Sequence, residues 1–200
     1  MRRVALVLMV TLFIGGGHGL VFADDTELFV TQMAPNALII LDMSGSMNWD
    51  PPGNPASPPN RRIDIARRVL FDLLDDNDDG TIDGNDYKSL NVRLGYMRFR
   101  ASYSNDDGNP STGNIRVLAP IGSSYKDIWD KVNDPTEVAS AGTPLAAALS
   151  EANTYFTKIV DVDTKNDPAV TCRNRFVVLI TDGSDTWACS GNGLDEEVGI

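Results

Sequence analysis

The chain has 200 residues, 42% of them apolar, with 17 Lys and Arg against 28 Asp and Glu and a net charge of −11. That length and apolar content suit one folded domain and exclude a disordered chain. The acid excess excludes a nucleic-acid binder, because neutralising phosphates takes Lys and Arg. Two cysteines are too few for a disulfide scaffold, so the fold must rest on a packed core.

Residues 1–23 read as a secretory signal peptide. Arg2 and Arg3 form a basic start, Val4 to Ile14 is an apolar run, and Val21-Phe22-Ala23 places small residues at a cleavage site. The glycines between 15 and 19 cut the run short of the roughly 20 apolar residues that a spanning helix needs, so no stable membrane anchor is expected after cleavage. The expected location is beyond the inner membrane: periplasmic, on the cell surface or secreted. Cleavage removes two arginines and no acid, which takes the net charge from −11 to −13. It also removes His18, the lone histidine. Serine-histidine and cysteine-histidine hydrolases and histidine-ligated zinc are thereby excluded, and any metal must be held by oxygen.

Residues 24–36 form an N-terminal extension, and 37–200 the domain. Ala37 to Leu41 (ALIIL) is an apolar block that predicts a strand buried on both faces. Ile63, Ala66, Val69, Leu70, Leu73 and Leu74 recur at threes and fours and predict an amphipathic helix. Val92, Leu94, Tyr96 and Phe99 predict a second strand, and Ile115 to Leu118 a third. Helices are expected over Tyr125 to Val132 and from Leu145 to Phe156, the latter opened by Thr143-Pro144. Phe176 to Thr181 (FVVLIT) predicts another fully buried strand. Stretches 51–59 and 105–113, rich in Pro and Gly, are expected to be surface loops, as is the connection carrying Asp161, Asp163 and Asp167. The order β-α-β-β-α-α-β implies an α/β fold with a mainly parallel sheet and helices on both faces.

Chemistry concentrates where the two most apolar strands end. ALIIL runs into Asp42-Met43-Ser44-Gly45-Ser46, and FVVLIT runs into Asp182-Gly183. Open α/β sheets bind ligands beyond the carboxyl ends of their strands. Thr143, at a helix start, can bring a third hydroxyl to that rim. Three hydroxyls (Ser44, Ser46, Thr143) and two carboxylates (Asp42, Asp182) suit a hard divalent cation.

Asp42-x-Ser44-x-Ser46 with a distant Thr143 and Asp182 resembles the metal-ion-dependent adhesion site of von Willebrand factor A domains. The resemblance implies that Rossmann-like fold, an Mg²⁺ or Mn²⁺ ion, and a protein or surface ligand that offers a carboxylate. Residues 24–48 further resemble the start of PilY-like type IV pilus tip-associated adhesins, which implies pilus components as partners. Such domains typically have six strands, so this one is expected to be truncated after its fourth and to continue past residue 200. A secreted surface-binding protein unrelated to pili is the rival reading. A metal-assisted hydrolase ranks lower because no general base stands out.

Asp75 to Asp86 fits the twelve-residue EF-hand loop inserted after the first helix. Asp75, Asn77, Asp79, Thr81, Asp83 and Asp86 take the ligand positions, and Gly80 the turn. Seven carboxylates and no base lie between Asp72 and Asp86, which favours Ca²⁺ as counter-ion over a bare acidic loop. Cys172 and Cys189 flank the last strand. A disulfide between them and pairing with cysteines beyond residue 200 stand as alternatives.

Overall fold

The computed structural model describes residues 33–100 and 114–183. The signal peptide, most of the extension, the loop at 105–113, Cys189 and everything after Gly183 lie outside those residues.

The order of elements is β1 (Asn36–Asp42), α1 (Arg62–Leu74), α2 (Gly84–Leu90), β2 (Arg93–Phe99), β3 (Ile115–Ala119), α3 (Tyr125–Val132), α4 (Leu145–Tyr155) and β4 (Arg175–Ile180). The strands form an open sheet in the order β3-β2-β1-β4. β1 pairs in parallel with β2 and with β4, while β3 returns antiparallel beside β2. The fold is mixed α/β with a mainly parallel four-stranded sheet.

β1 lies at the centre, and all seven of its residues are buried. Alternation along it feeds two cores. Ala37, Ile39 and Leu41 pack with Ile63, Ala66, Leu70 and Leu74 of α1 and Ile128 and Val132 of α3. Leu38 and Ile40 face the other way and pack with Met97, Phe99, and Ala147, Ala148 and Ala152 of α4. Helices therefore cover both faces.

The structure departs from the sequence reading at five places. Val69 and Leu73 share the periodicity of α1 but are exposed, since the buried stripe consists of Ile63, Ala66, Leu70 and Leu74. α2 was not anticipated; it opens at Gly84, inside the acidic loop, with Asp83 as its N-cap. Pro144 precedes α4 as its N-cap rather than forming its first turn, and the helix ends in a π-helical turn at Phe156–Val160. Fourth, FVVLIT is not fully buried. β4 pairs with β1 on one side, and Phe176, Val177 and Val178 are 52%, 43% and 42% exposed among the described residues. An apolar run reports affinity for a core and cannot report how many neighbours cover it.

Asp167, expected in a polar loop, is buried and paired with Arg93 and Arg173 at 2.9 and 2.8 Å. Arg173 also donates to the Ala34 carbonyl. These bonds tie the entrance of β4 to the segment that leads into β1.

Candidate functional site

The site lies at the carboxyl ends of β1 and β4. β1 ends at Asp42, whose carboxylate is fully buried. Its Oδ1 accepts the Ser44 backbone N–H at 2.7 Å, and its Oδ2 accepts the Thr181 hydroxyl at 2.7 Å. Burial pushes the Asp42 carboxyl above its usual range, aided by the charge of Asp182 and opposed by the bonds from Ser44 and Thr181. The chain then tightens into a 3₁₀ turn at Gly45–Asn48. Ser44 and Ser46 hydroxyls face each other at 3.2 Å, and Ser46 donates to Asp182 Oδ1 at 2.9 Å. Asp42, Ser44, Ser46 and Asp182 thus form one connected set of oxygens. Thr181, which sequence reasoning missed, belongs to it as well.

Thr143 is buried and lies two residues beyond a segment bonded to the Asp42–Ser46 turn. Ser140 N–H donates to the Met43 carbonyl at 2.8 Å, Gly45 N–H to Ala141 at 2.9 Å, and the Asn48 amide to Ala139 at 2.7 Å. Gly45 leaves little room for a side chain there. A Cβ on it would stand 3.2 Å from the Ala141 carbonyl, tighter than ordinary contact.

The same segment starts at Glu137, whose carboxylate is buried among arginines. Arg98, fully buried, donates to it at 3.0 Å, Arg116 at 2.5 Å, and Arg100 lies at 3.8 Å. Arg100 also holds the Val138 carbonyl, and Arg67 the Glu137 carbonyl. Burial works to raise the Glu137 carboxyl pKa, but the three guanidiniums prevail and hold it below the usual range. Nothing in the spacing of Glu137 signals this role.

A third missed residue is Arg62, the first of α1. Its Nη1 pairs with Asp182 Oδ2, its Nε donates to the Asp50 carbonyl at 3.0 Å, and its Nη2 to Pro51 at 3.2 Å. A cleft of about 450 Å³ opens beside this pair, lined in part by Met47, Ile65, Val69 and Ile180.

The acidic loop sits at the far end of α1. Asp75 caps the helix and is buried, with Oδ1 accepting Asp79 N–H at 3.2 Å and Oδ2 accepting Gly80 N–H at 2.9 Å. Asn77 Oδ1 accepts from Asp79 N–H and Asp79 Oδ1 from Thr81 N–H. Asp83 caps α2 through Asn85 N–H. Asp86 is buried and accepts from Asp83 and Asn77; the Asp83 bond above all holds its carboxyl below the usual range. Ile82 enters the same core as Leu74. The thirteen residues of α1 place this loop roughly 20 Å from Arg62.

Among the described residues, no three Asp, Glu, His or Cys side chains converge as a ready metal cluster. At the rim, donors are two carboxylates and hydroxyls, so a cation there would draw on Ser and Thr oxygens. That set fits a hard ion. Cys172 is exposed, and Cys189 lies outside the described residues. Among the described residues no helix is long and apolar enough to cross a membrane.

With this geometry in place, comparison with solved structures gives a match. The fold is similar to that of a minor pilin. It is the D319A mutant of the PilB minor pilin from Streptococcus sanguinis, at a TM-score of 0.50 and 18% sequence identity. The match covers 80% of this chain and 34% of the pilin, so the chain spans about a third of that protein's length. At that identity the likeness is one of fold. No protein-family model matches the sequence, and no curated protein does.

Proposed function

We propose that the chain is an exported, metal-dependent adhesion or assembly module of von Willebrand factor A type that works with type IV pili. The observation that carries the reading is the connected oxygen set of Asp42, Ser44, Ser46 and Asp182 at the carboxyl ends of two parallel strands. Ser44, Ser46 and Thr143 would ligate Mg²⁺ or Mn²⁺ directly, with Asp42 and Asp182 acting through water. Neutral hydroxyl ligands leave the ion much of its charge, so an open position would attract a carboxylate from a partner protein or surface. The strand order, with one antiparallel strand beyond a parallel core, supports the Rossmann-like assignment. Likeness of fold to a protein described as a minor pilin supports the pilus setting.

The loop at 75–86 would bind Ca²⁺ separately and act on stability. Its ligand order, the positive φ of 83° at Gly80 and the helices on both sides support an EF-hand-like unit. The reading is of a binder rather than an enzyme, since the rim carboxylates of Asp42 and Asp182 already accept bonds from Ser44, Thr181, Ser46 and Arg62.

The test is calorimetric titration of Mg²⁺ into the chain and into Asp42→Ala, followed by cosedimentation with purified type IV pili with and without chelator. Saturable Mg²⁺ binding that Asp42→Ala abolishes, and pilus binding that chelator reverses, are expected. Equal Mg²⁺ affinity in both proteins would remove the adhesion site. Chelator-resistant cosedimentation would detach the metal from adhesion.

A further inference from the structure

We infer that Arg62 is an internal counter-cation of the metal site and sets its affinity by holding Asp182. The inference rests on the adhesion-site reading above and names the residue that tunes it. Asp182 spends one oxygen on the Ser46 hydroxyl and the other on the Arg62 guanidinium, and both side chains are largely shielded, at 9% and 22% exposure. The carboxylate is therefore satisfied by the protein itself.

Position makes the pair informative. Arg62 is the first residue of α1, and a helix N-terminus carries the positive end of the dipole, where acids are favoured and bases are not. A cation held there needs a compensating anion, and Asp182 is the one it contacts. Among the described residues, the oxygen set and the guanidinium bonded to it carry three charges, on Asp42, Asp182 and Arg62. The Asp50 carboxylate also acts on Arg62 but is bonded to Asn54. Without Arg62 the set would present two negative charges, matched to a divalent ion; with it the set presents one. A bound Mg²⁺ must share Asp182 with a guanidinium and sit beside a like charge.

Two consequences follow. Metal affinity is held below what the oxygens alone would give. The occupied site also keeps a net positive charge, which is the condition for drawing an anionic ligand to the open position. The guanidinium is not free to swing aside, because the Asp50 and Pro51 carbonyls hold two of its other nitrogens. Those carbonyls belong to the segment between the Asp42–Ser46 turn and α1, so the arginine stays at the rim whether or not a metal is present.

Calorimetry with Mg²⁺ alone, on the full chain and on Arg62→Met, Arg62→Gln and Arg62→Lys, tests this. Arg62→Met and Arg62→Gln should bind Mg²⁺ more tightly, on the order of fivefold to tenfold. Arg62→Lys keeps the charge and should stay near wild type. In chelator, the two neutral variants should melt earlier than wild type, with Mg²⁺ restoring more of the loss. A residue that merely tied the Asp50–Pro51 segment in place could weaken binding when lost but could not strengthen it. Unchanged or weaker affinity in both neutral variants, with cooperative unfolding retained, overturns the inference while leaving the metal site standing. Absence of Mg²⁺ binding in wild type, Arg62→Met and Asp42→Ala alike overturns the site and the inference together.

Discussion

The Ser46 hydroxyl donates to Asp182 at 2.9 Å across 136 residues of sequence. The bond joins the turn after the central strand to the end of its neighbour. Parallel pairing of β1 with β4 makes it possible, because both strands deliver their carboxyl ends to one edge of the sheet. Asp42 anchors the same edge from within the core, and its replacement gives the first prediction.

Asp42→Ala should lower stability by about 1–3 kcal/mol, because the Ser44 N–H and the Thr181 hydroxyl lose their buried acceptor. Asp42→Asn keeps an acceptor oxygen and should cost less. Urea unfolding of the three proteins in chelator checks the order wild type, Asn, Ala. An alanine variant as stable as wild type would mean that Asp42 is not the acceptor that organises the turn.

Glu137 should matter more to stability than any surface carboxylate. Removing it in Glu137→Ala leaves Arg98 buried without its partner, and breaking a buried pair costs about 3–5 kcal/mol. Since Glu137 opens the segment that carries Thr143, the variant should also expose that segment to proteolysis. Replacing Arg98 and Glu137 together with Met and Leu should recover most of the loss, because it removes the charges along with the pair. A double variant no better than Glu137→Ala would show that the hydrogen bonds of the pair, rather than an orphaned charge, carry the effect.

The site was legible in sequence only where its residues are contiguous or end an apolar run. Asp42, Ser44 and Ser46 follow the block Ala37–Leu41 directly, so their position at a strand end could be read off. Asp182 ends the apolar run Phe176–Thr181 in the same way, Thr143 could be placed by its helix start, and the structure sets their segments beside the turn. Arg62 and Glu137 left no signal. An arginine at a helix start reads as a solvated side chain, and a glutamate in a loop reads as surface, until the fold shows what each touches. The parallel core was legible from Ala37–Leu41 and Phe176–Thr181, but edge or centre was not, because both runs are apolar and only pairing separates them. Asp167 failed for the same reason as Glu137: its partners, Arg93 and Arg173, are fixed by topology rather than spacing.

Acid should destabilise the fold through these same ion pairs. Asp167 is held below its usual range, its bond to Arg173 and the charge of Arg93 outweighing burial. Glu137 is depressed by Arg98, Arg116 and Arg100, which all face it, while Arg67 contacts its carbonyl. A carboxylate with a lowered folded pKa contributes stability that is complete above its unfolded pKa and is lost as pH falls through the folded one. Both contributions should therefore be whole above the ordinary carboxyl pKa values of 4.5 for Glu and 3.8 for Asp, and fade below them. Urea midpoints in chelator should hold steady from pH 7 to about 5 and then fall. In Glu137→Gln the fall should be shallower, and an identical acid limb would show that Glu137 is not among the titrating groups.

Calcium should stabilise the chain through the loop at 75–86 without touching the rim. Asp75, Asp83 and Asp86 accept backbone N–H groups, and a carboxylate oxygen that accepts one hydrogen bond has a second lone pair with which it could bind a cation. Calcium would neutralise clustered acids and fix the passage from α1 through α2 into β2. Because only the folded chain presents the ligands in order, stability should rise with Ca²⁺, by about 2.7 kcal/mol at a hundred times Kd. For a chain of this length that corresponds to a Tm increase of about 5–10 °C. Asp75→Ala combined with Asp79→Ala should abolish the increase and leave Mg²⁺ affinity at the rim unchanged, given the roughly 20 Å between them. Thermal unfolding of both proteins in Ca²⁺ and in chelator reads the first effect, and Mg²⁺ calorimetry in chelator selective for calcium reads the second. Equal calcium shifts in wild type and double variant would take the ion away from this loop. A lost Mg²⁺ site in the variant would show instead that α1 couples the two ends.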